Sequence, residues 1–445
     1  MSETTRGFAT TQVQAGYVPS AAENTAIVPI HQSNAFEFSS LSQARDLFAL
    51  KRDGNIYSRT ANPTVQVFER RVAELEDGIA AAGVASGQAA VAVALLALAK
   101  SGEHIVAARQ LYGGTVDLLQ DTFADWGVSV TFVDQDEPEE WRAAVRPETR
   151  AFFAESITNP IAQVLDVRAV SDIAHGAGVP LVIDNTVATP YLQRAKDVGA
   201  DIVVHSATKF LGGHGTSLGG IVVDLGTYDF STNPARWPQL NEPYARVHGA
   251  SLVERFGATG SPYITLVKTK YVHDLGPSLS AFNAFQLLQG IETLDLRMAR
   301  HTTSALEVAR YLDAHPSVAR VHHPGLESSP WHHNAIQYLP RGTGAVFSFD
   351  LHTTGDIEAD FALVEAFIAQ LHVVHLVANI GDARSLTAHP ASMTHSHLSA
   401  EQLREARICW TTVRLSIGLE DPSDIVDDLA QALASLPIHE GATAR

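Results

Sequence analysis

The sequence predicts an α/β protein in which a mostly parallel sheet, flanked by helices, lies between an N-terminal arm and a smaller C-terminal α/β domain. Three observations support this fold class. The chain has 445 residues, which is long enough for two or three domains. Short apolar segments alternate with helical segments through its first half. These segments are apolar throughout rather than at every second residue, which is typical of strands buried on both faces.

The arm comes first and occupies residues 1–61. It contains few periodic segments and several short apolar runs such as IVPI. A segment of this kind becomes ordered when it packs against the rest of its own chain or against a neighbouring subunit.

The large domain is predicted over residues 62–275. Its first helix begins at Pro63 with Asn62 as the capping residue, and a second helix runs from about residue 88 to 100. Strands are predicted at HIVAA, VSVTFV, TRAFFAE, VPLVID, DIVVHS and GGIVV, with helices at TVDLLQDTFADW, PEEWRAAV and VRAVSDIAHGAG between them. Because helices join these strands, we expect right-handed crossover connections and a mostly parallel sheet.

The smaller domain is predicted over residues 276–445, after a stretch rich in Pro, Asn and Gly that interrupts the pattern over residues 225–270. One long or broken helix over residues 278–315 opens it. Strands at GTGAVFSFD and VRLSIG and helices at DFALVEAFIAQL and DIVDDLAQALASL follow.

Composition argues against several classes of partner. The formal net charge is −18, from 31 Lys and Arg against 49 Asp and Glu, and an acidic surface repels nucleic acid and anionic membrane. No apolar run approaches the about 18 residues of a membrane span, and the N-terminus lacks a secretory signal, so we expect a cytoplasmic protein. The single cysteine, Cys409, excludes a disulfide within the chain and is expected to be a small buried side chain.

The stretch SATKFLGGHGTSLGG, residues 206–220, places Lys209 directly after an apolar strand. Its glycines follow the lysine rather than precede it, which excludes a Walker phosphate loop. A structural lysine that extends from a strand end is one interpretation. The other is a reactive amine, which in a partly desolvated site forms a Schiff base with pyridoxal phosphate.

The second interpretation needs further groups, and the sequence supplies candidates. Asp184 follows the strand VPLVI and would pair with the pyridine nitrogen of the cofactor, since ligands bind at the carboxyl ends of parallel strands. Gly87 and Gln88 begin a helix after Ser86 and would bind the phosphate, although a plain helix cap is the alternative. Tyr112 is a candidate for stacking on the cofactor ring, with a core tyrosine as the alternative.

Together these stretches resemble the Cys/Met-metabolism pyridoxal-phosphate enzymes of fold type I, from about residue 7 to 436. The family includes cystathionine γ-synthases and lyases, methionine γ-lyases and O-acetylhomoserine sulfhydrylases, and the resemblance to the last group is greatest. Methionine γ-lyases carry a cysteine at the position of Gly114. The matching motifs are YSRTANPT, SGQAA, YGGT, DNTVATPYL, SATKFLGGH, SLTAHPASMTHSHL and RLSIGLED.

The resemblance implies a role for each matched residue. Lys209 would bind the cofactor covalently and, with Tyr112, transfer protons, while Asp184 would contact the pyridine nitrogen. The phosphate would be held by Gly87, Gln88, Ser206 and Thr208, and across a subunit interface by Tyr57 and Arg59. Arg414 would bind the substrate α-carboxylate, with Asn159 and Ser385 as further contacts and Glu155 as a weaker candidate.

The implied reaction is a γ-replacement that converts O-acetylhomoserine and sulfide to homocysteine and acetate in methionine biosynthesis. Alternatives are a cystathionine γ-synthase or lyase, an O-succinylhomoserine sulfhydrylase, or a scaffold that has lost the chemistry. The family also implies a homo-oligomer, a tetramer built of dimers that share active sites. The histidine pairs His395/His397 and His332/His333 lack further ligands at metal spacing, so no metal is predicted.

Overall fold

The computed structural model describes residues 6–19, 24–396 and 398–436 of the chain. Its α-helices are α1 (Phe8–Gln14), α2 (Leu41–Phe48), α3 (Pro63–Leu75), α4 (Gly87–Leu98), α5 (Gly113–Asp117), α6 (Phe123–Asp125), α7 (Pro138–Ala143), α8 (Val167–Gly176), α9 (Thr189–Leu192), α10 (Pro238–Asn241), α11 (Leu252–Phe256), α12 (Pro262–Leu266), α13 (His273–Leu275), α14 (Ala281–Ile291), α15 (Leu294–Asp313), α16 (His332–Tyr338), α17 (Ile357–Ala369), α18 (Ala400–Glu405) and α19 (Pro422–Ala434). Short π-helical segments at Leu118–Thr122 and Val267–Val272 continue α5 and α12, and 3₁₀ turns lie at Ala195–Val198, Ala245–Val247 and Pro390–Ser392.

The large sheet contains β1 (Ala80–Val84), β2 (His104–Ala108), β3 (Ser129–Val133), β4 (Thr149–Glu155), β5 (Leu181–Asp184), β6 (Ile202–Ser206) and β7 (Gly220–Asp224). Their spatial order is β1-β7-β6-β5-β4-β2-β3. Only β7 among these strands runs against the others, because it pairs antiparallel with both β1 and β6. The predicted mostly parallel sheet is therefore confirmed.

The smaller sheet lies in the second half of the chain and contains β8 (Val318–His322), β9 (Val346–Leu351), β10 (His375–Leu376), β11 (Leu386–Ala388) and β12 (Thr412–Ser416). Its order is β10-β11-β12-β9-β8, and its pairs are antiparallel except β10 with β11. Separate sheets agree with two α/β domains, while the boundaries at 61/62 and 275/276 remain predictions.

Two helix starts near the site follow from their capping residues. The Asn62 side chain accepts a hydrogen bond from the backbone N–H of Thr64, and Pro63 occupies the first turn, as predicted. Ser86 caps α4 by accepting from the N–H of Ala89. The backbone N–H groups of Gly87 and Gln88, which begin α4, therefore point out of the helix end without intrahelical partners.

The structure differs from the sequence prediction at several elements. Strand β1, AAAGV, was missed because alanine and glycine give no β-branched signal; it is defined by its pairing with β7. The helix predicted over residues 115–126 is one helical run with a π-helical middle. The arm carries the two short helices α1 and α2. Cys409 is exposed, which corrects the expectation of a buried thiol.

His397 lies outside the described residues, and elsewhere in the described chain no group of three or more potential metal ligands comes together. None of the helices in the described ranges combines the length and apolar content that crossing a bilayer requires.

Candidate active site

Parallel pairing brings polar residues from three strands to one edge of the large sheet. Glu155 at the end of β4 is the Cα partner of Asp184 at the end of β5, and Asp184 is level with Val204 on β6. Ser206 ends β6 two residues later, and its N–H donates to the hydroxyl of Thr186 at 2.8 Å. The sheet edge therefore places Asp184, Glu155 and Ser206 side by side, as the sequence predicted for carboxyl ends of parallel strands.

The two carboxyl groups differ in how readily they ionise. Burial raises the pKa of Glu155 well above its usual value, and the charge of Asp184 raises it further. Burial also raises the pKa of Asp184, but hydrogen bonds from Thr186 and the charge of His205 oppose that rise. Asp184 is consequently the member of the pair that is suited to carry the negative charge, because one of two adjacent buried carboxyl groups stays protonated.

Lys209 lies just beyond this edge with its amine mostly buried. Its Nζ donates to Oδ1 of Asn379 at 2.6 Å. Burial, and secondly the charge of Arg414, lower the pKa of the Lys209 amine to about 8. A neutral amine is the form that attacks an aldehyde, so these surroundings favour the reactive-amine interpretation over a structural lysine.

Arg414, on β12, is a buried cation whose neighbours in the described chain do not neutralise it. Its Nη1 donates to Oδ1 of Asn159 at 3.4 Å and its Nη2 to the backbone carbonyl of Asn379 at 2.9 Å. Its Nε is buried without a hydrogen-bond partner in the described residues, and no carboxylate among them forms an ion pair with it. Burial lowers the pKa of Arg414 to about 10. A guanidinium held in this way is suited to a carboxylate that comes from a ligand.

Asn379 is the site residue that the sequence analysis missed. Its side-chain carbonyl contacts the amine of Lys209 and its backbone carbonyl contacts Arg414. It lies between β10 and β11, far from Lys209 in sequence and outside any glycine-rich or strand-end pattern. The family motif SLTAHPASMTHSHL begins only at Ser385, so Asn379 lies outside the motifs that carried the resemblance.

Ser385 is engaged elsewhere in the structure. Its hydroxyl donates to Oε2 of Glu420 at 2.8 Å and accepts from the N–H of Gly418 at 2.8 Å. Its own N–H donates to Oε1 of Glu420 at 2.7 Å. These three bonds connect the strand end at Ser385 to the segment after β12, and they give the hydroxyl both a donor and an acceptor partner already.

The start of α4 and the end of β6 lie against each other and form the candidate phosphate cradle. A Cβ added to Gly87 would lie 2.5 Å from Cβ and 2.8 Å from Oγ of Ser206, so only glycine permits this approach. Gly220 of β7 likewise allows the backbone of Ser86 to lie against the sheet. The Thr208 hydroxyl accepts a hydrogen bond from the N–H of Gly219 at 3.0 Å and lies 3.2 Å from the carbonyl oxygen of Gly219. These contacts attach Thr208 to the segment that directly precedes β7.

Gln88 and Gly114 shape the surroundings of Tyr112. The Gln88 side chain donates to the carbonyl of Gly114 at 2.6 Å and accepts from the Thr115 hydroxyl, which leaves its backbone N–H for a phosphate. A Cβ at Gly114 would lie 2.7 Å from Cε1 of Tyr112, so a cysteine here would displace the ring. The backbone N–H of Tyr112 donates to Glu155 at 2.6 Å, and the side chain is 43% exposed. Tyr112 is therefore fixed by its backbone while its ring remains accessible.

Tyr57 and Arg59 make their contacts with residues other than those described above. The Arg59 guanidinium is 5.6 Å from the centre of the Tyr57 ring, and its Nη1 donates to the carbonyl of His273 at 2.9 Å. Both residues line an open cleft with Ser278 and Ser280, and Tyr57 is 44% exposed. Their side chains face outward, which agrees with the expectation that they act on a neighbouring subunit; that role remains a prediction.

The residues present fit pyridoxal phosphate. The cradle at Gly87 and Ser206 supplies free N–H groups and a hydroxyl, Asp184 supplies an anion, and Lys209 supplies an amine of lowered pKa. The orphaned Nε of buried Arg414 adds a charged donor for a carboxylate that this cofactor's amino-acid substrates carry.

Comparison with known proteins identifies the family. Residues 9–434 match the family described as Cys/Met metabolism PLP-dependent enzyme. The O-acetyl-L-homoserine sulfhydrylase of Leptospira meyeri is 44% identical over 434 residues, 96% of each chain. The homocysteine synthase of Schizosaccharomyces pombe is 42% identical over 427 residues, 96% of this chain and 98% of the other.

Solved structures agree with the fold. A Campylobacter jejuni protein assigned as an O-acetylhomoserine (thiol)-lyase, solved with N'-pyridoxyl-lysine-5'-monophosphate, superimposes with a TM-score of 0.92 at 35% identity, covering 97% of this chain and all of that one. The cystathionine γ-synthase of Xanthomonas oryzae pv. oryzae gives a TM-score of 0.82 at 30% identity, covering 96% and 98% of the two chains. The fold type I class is confirmed, and the chain belongs to the family of Cys/Met metabolism enzymes that depend on pyridoxal phosphate.

Proposed function

We propose that the protein is an O-acetylhomoserine sulfhydrylase, which converts O-acetyl-L-homoserine and sulfide to L-homocysteine and acetate in methionine biosynthesis. The observation that carries the proposal is the buried, unneutralised Arg414 beside Lys209, because it is suited to hold the α-carboxylate of an amino acid next to the reactive amine. The names of the relatives from Leptospira meyeri and Schizosaccharomyces pombe supply the reaction type.

The chain's own residues have distinct tasks in this reaction. Pyridoxal phosphate, when bound, supplies a ring that accepts the negative charge left when the substrate loses its α-proton. Arg414 and Asn159 orient the substrate carboxylate. The Lys209 amine, with a pKa of about 8, has a much larger neutral fraction at neutral pH than an ordinary lysine and accepts that proton. A β-proton is removed next, and acetate then leaves from the γ-carbon. Sulfide adds to that carbon, and protons return to the β- and α-carbons as homocysteine is released.

Two observations argue against alternatives to this function. The cysteine that methionine γ-lyases carry at the position of Gly114 would have to displace the Tyr112 ring in this chain. Arg414, Asp184, Tyr112 and Lys209 lie in one site with chemically suitable surroundings, which argues against a scaffold that has lost the chemistry.

Assembly and location belong to the same proposal. We propose a homotetramer built of two dimers, in which Tyr57 and Arg59 of one subunit complete the phosphate site of another. Their outward-facing position on the arm supports this arrangement. We also propose that the enzyme is cytoplasmic, and that O-acetylserine and methanethiol are side substrates.

The decisive experiment compares kcat/KM for O-acetyl- and O-succinylhomoserine, each with sulfide and with cysteine. We expect the highest value for the acetyl ester with sulfide. A preference for cysteine would instead make the protein a cystathionine γ-synthase, and a preference for the succinyl ester an O-succinylhomoserine sulfhydrylase.

A further inference from the structure

A buried arginine of α15 contacts the backbone directly after Lys209. Arg297 donates from Nη1 to the carbonyl of Phe210 at 2.8 Å and from Nη2 to that of Leu211 at 3.2 Å, the two residues that follow the lysine. Its Nη2 also donates to the carbonyl of Gly290, near the end of α14, at 2.8 Å. One guanidinium therefore joins the backbone beside the reactive amine to the junction of α14 and α15.

The backbone over residues 206–213, called the lysine turn below, is closed by its own hydrogen bonds. The N–H of Lys209 donates to the carbonyl of Ser206 at 3.1 Å, and the N–H of Gly213 donates to the carbonyl of Lys209 at 2.7 Å. Gly213 has a φ of 72°, and a Cβ added to it would overlap the guanidinium of Arg297. A glycine at this position therefore allows Arg297 to lie against the lysine turn.

Arg297 does not act as a member of an ion pair. Its side chain is buried, and no carboxylate in the described part of the chain pairs with it. Burying a cation without a counter-charge is unfavourable for stability. A guanidinium, however, presents five N–H groups in one plane and can donate to carbonyl oxygens of separate segments, which the single nitrogen of a lysine cannot do in the same geometry. The contacts therefore favour a role in fixing the lysine turn.

The next turn of α15 contacts β12, the strand that carries Arg414. His301 lies four residues after Arg297, and its ring packs edge-on against the ring of Phe210, with the ring centres 5.3 Å apart. Its Nδ1 donates to the carbonyl of Ile417, directly after β12, at 2.7 Å. One helix therefore holds both the lysine turn and the strand of the carboxylate-binding arginine.

We propose that Arg297 is a positioning residue for Lys209: it fixes the lysine turn so that the amine lies where it can attack the cofactor aldehyde. In that step the neutral amine adds to the aldehyde carbon, and water leaves as the Schiff base forms. The role is geometric, because Arg297 contacts the backbone of the turn and not the amine. A displacement of about 1 Å at a reacting group can cost about 100-fold in rate. The inference rests on the assignment of Lys209 as the lysine that bonds to the cofactor.

The test measures how fast the protein captures pyridoxal phosphate. Cofactor-free wild-type protein and Arg297→Lys are mixed with the cofactor, and stopped-flow absorbance follows the capture rate across pH. Lysine keeps the charge and loses the planar set of donors. We expect the rate at high pH to fall about 10- to 100-fold, because the amine is misplaced. The pH at which the rate is half-maximal should stay at the wild-type value, whereas a change in the ionisation of Lys209 would move it.

Arg236 provides a matched control for general destabilisation. It too donates to three backbone carbonyls, those of Ala177, Gly178 and Pro147, and pairs with no carboxylate in the described residues. These carbonyls precede β4 and β5, at the sheet edge opposite to the cofactor site. Arg236→Lys should therefore lower the melting temperature and capture the cofactor at the wild-type rate.

A second pair of variants disturbs the same contact without replacing Arg297, and it decides the question if Arg297→Lys does not fold. Gly213→Ala places a methyl group against the guanidinium and should also slow capture. Gly102→Ala adds a methyl group at a similar φ of 87°, where a Cβ meets no atom within 4 Å, and should capture the cofactor at the wild-type rate. If Gly213→Ala captures it at the wild-type rate, or if the two control variants slow capture equally, the proposal is wrong.

One more variant distinguishes a failure of this inference from a failure of the assignment of Lys209. Lys209→Ala should abolish covalent capture. If it does so while Arg297→Lys and Gly213→Ala capture the cofactor at the wild-type rate, only the role of Arg297 fails. If Lys209→Ala still captures the cofactor covalently, the assignment of Lys209 fails with it.

Discussion

At the residue scale, the reactivity of the site comes from charges that burial leaves poorly compensated. Lys209 has an amide carbonyl rather than a carboxylate as its partner, and Arg414 has two carbonyl oxygens and an orphaned Nε. Both cations contact Asn379, so one residue sets the spacing between the amine and the carboxylate-binding group. The lowered pKa values of both side chains follow from burial first.

Replacing Lys209 tests its covalent role. Lys209→Ala removes the amine that bonds to the cofactor, so borohydride treatment should no longer leave pyridoxal phosphate attached to the denatured protein, as measured by mass spectrometry. Lys196→Ala, at a lysine that pairs with Asp77, should retain the attached cofactor. Cofactor attached to Lys209→Ala would show that another lysine carries it.

The pKa of Lys209 predicts a pH dependence. The amine must be neutral to capture the cofactor, so the capture rate of cofactor-free protein should rise with pH and level off above about 8. Because the charge of Arg414 helps to lower this pKa, we expect Arg414→Gln to raise the pH at which the capture rate is half-maximal, towards the ordinary lysine pKa. Stopped-flow absorbance measures the rate.

The control for that experiment is Arg194→Gln, which removes an exposed arginine that pairs with Asp197. The pH at which its capture rate is half-maximal should equal that of the wild-type protein. A downward shift of this pH in Arg414→Gln would contradict the electrostatic account of Lys209.

At the scale of the elements, the phosphate cradle depends on how closely α4 approaches β6. Two features permit the approach: Gly87 opens the helix without a side chain, and Ser86 caps it while leaving the next two N–H groups free. The helix start carries a partial positive charge in addition to these donors, which favours an anion such as phosphate.

Filling the cradle should weaken cofactor binding. Gly87→Ala places a methyl group 2.5 Å from Cβ of Ser206, so we expect the affinity for pyridoxal phosphate to fall by at least about tenfold, or about 1.4 kcal/mol. Equilibrium dialysis or fluorescence titration measures the affinity. Gly176→Ala, at the end of α8 where an added Cβ meets no atom within 4 Å, should bind like wild type. If both variants lose the same affinity for pyridoxal phosphate, a steric clash at Gly87 does not explain the loss.

At the scale of the whole molecule, the arm and the large domain of one subunit supply different parts of the proposed site. The groups around Lys209 lie at the edge of the large sheet, while Tyr57 and Arg59 face outward along the arm beside the start of α14. In the proposed assembly, a complete site therefore requires a second copy of the chain.

Mixed oligomers test the shared site. Arg59→Ala and Lys209→Ala proteins should each have little activity, but mixed dimers would contain one site with both native residues. Random mixing should therefore restore roughly a quarter of the wild-type activity. The assay is homocysteine formation after co-refolding, with each variant refolded alone as the control. If mixed dimers form but the mixture stays inactive, Arg59 does not contribute to the active site of the neighbouring subunit.

The sequence by itself determined the alternation of strands and helices, the strand ends that carry Asp184 and Lys209, and the glycine-rich cradle. These features are local: periodicity, caps and turns act over a few residues and are visible in any stretch of chain. For the same reason the family could be predicted from short motifs, each of which contains its own functional group.

Only the tertiary structure decided which distant residues support those groups. Strand β1 is defined by its pairing with β7, Asn379 reaches Lys209 from 170 positions away, and Arg297 reaches Phe210 from 87 positions away. Their roles depend on burial and on the partner across the fold. A guanidinium or an amide gives no sequence signal of the group that it will contact, because the free energy of that contact is set by the surrounding dielectric and packing.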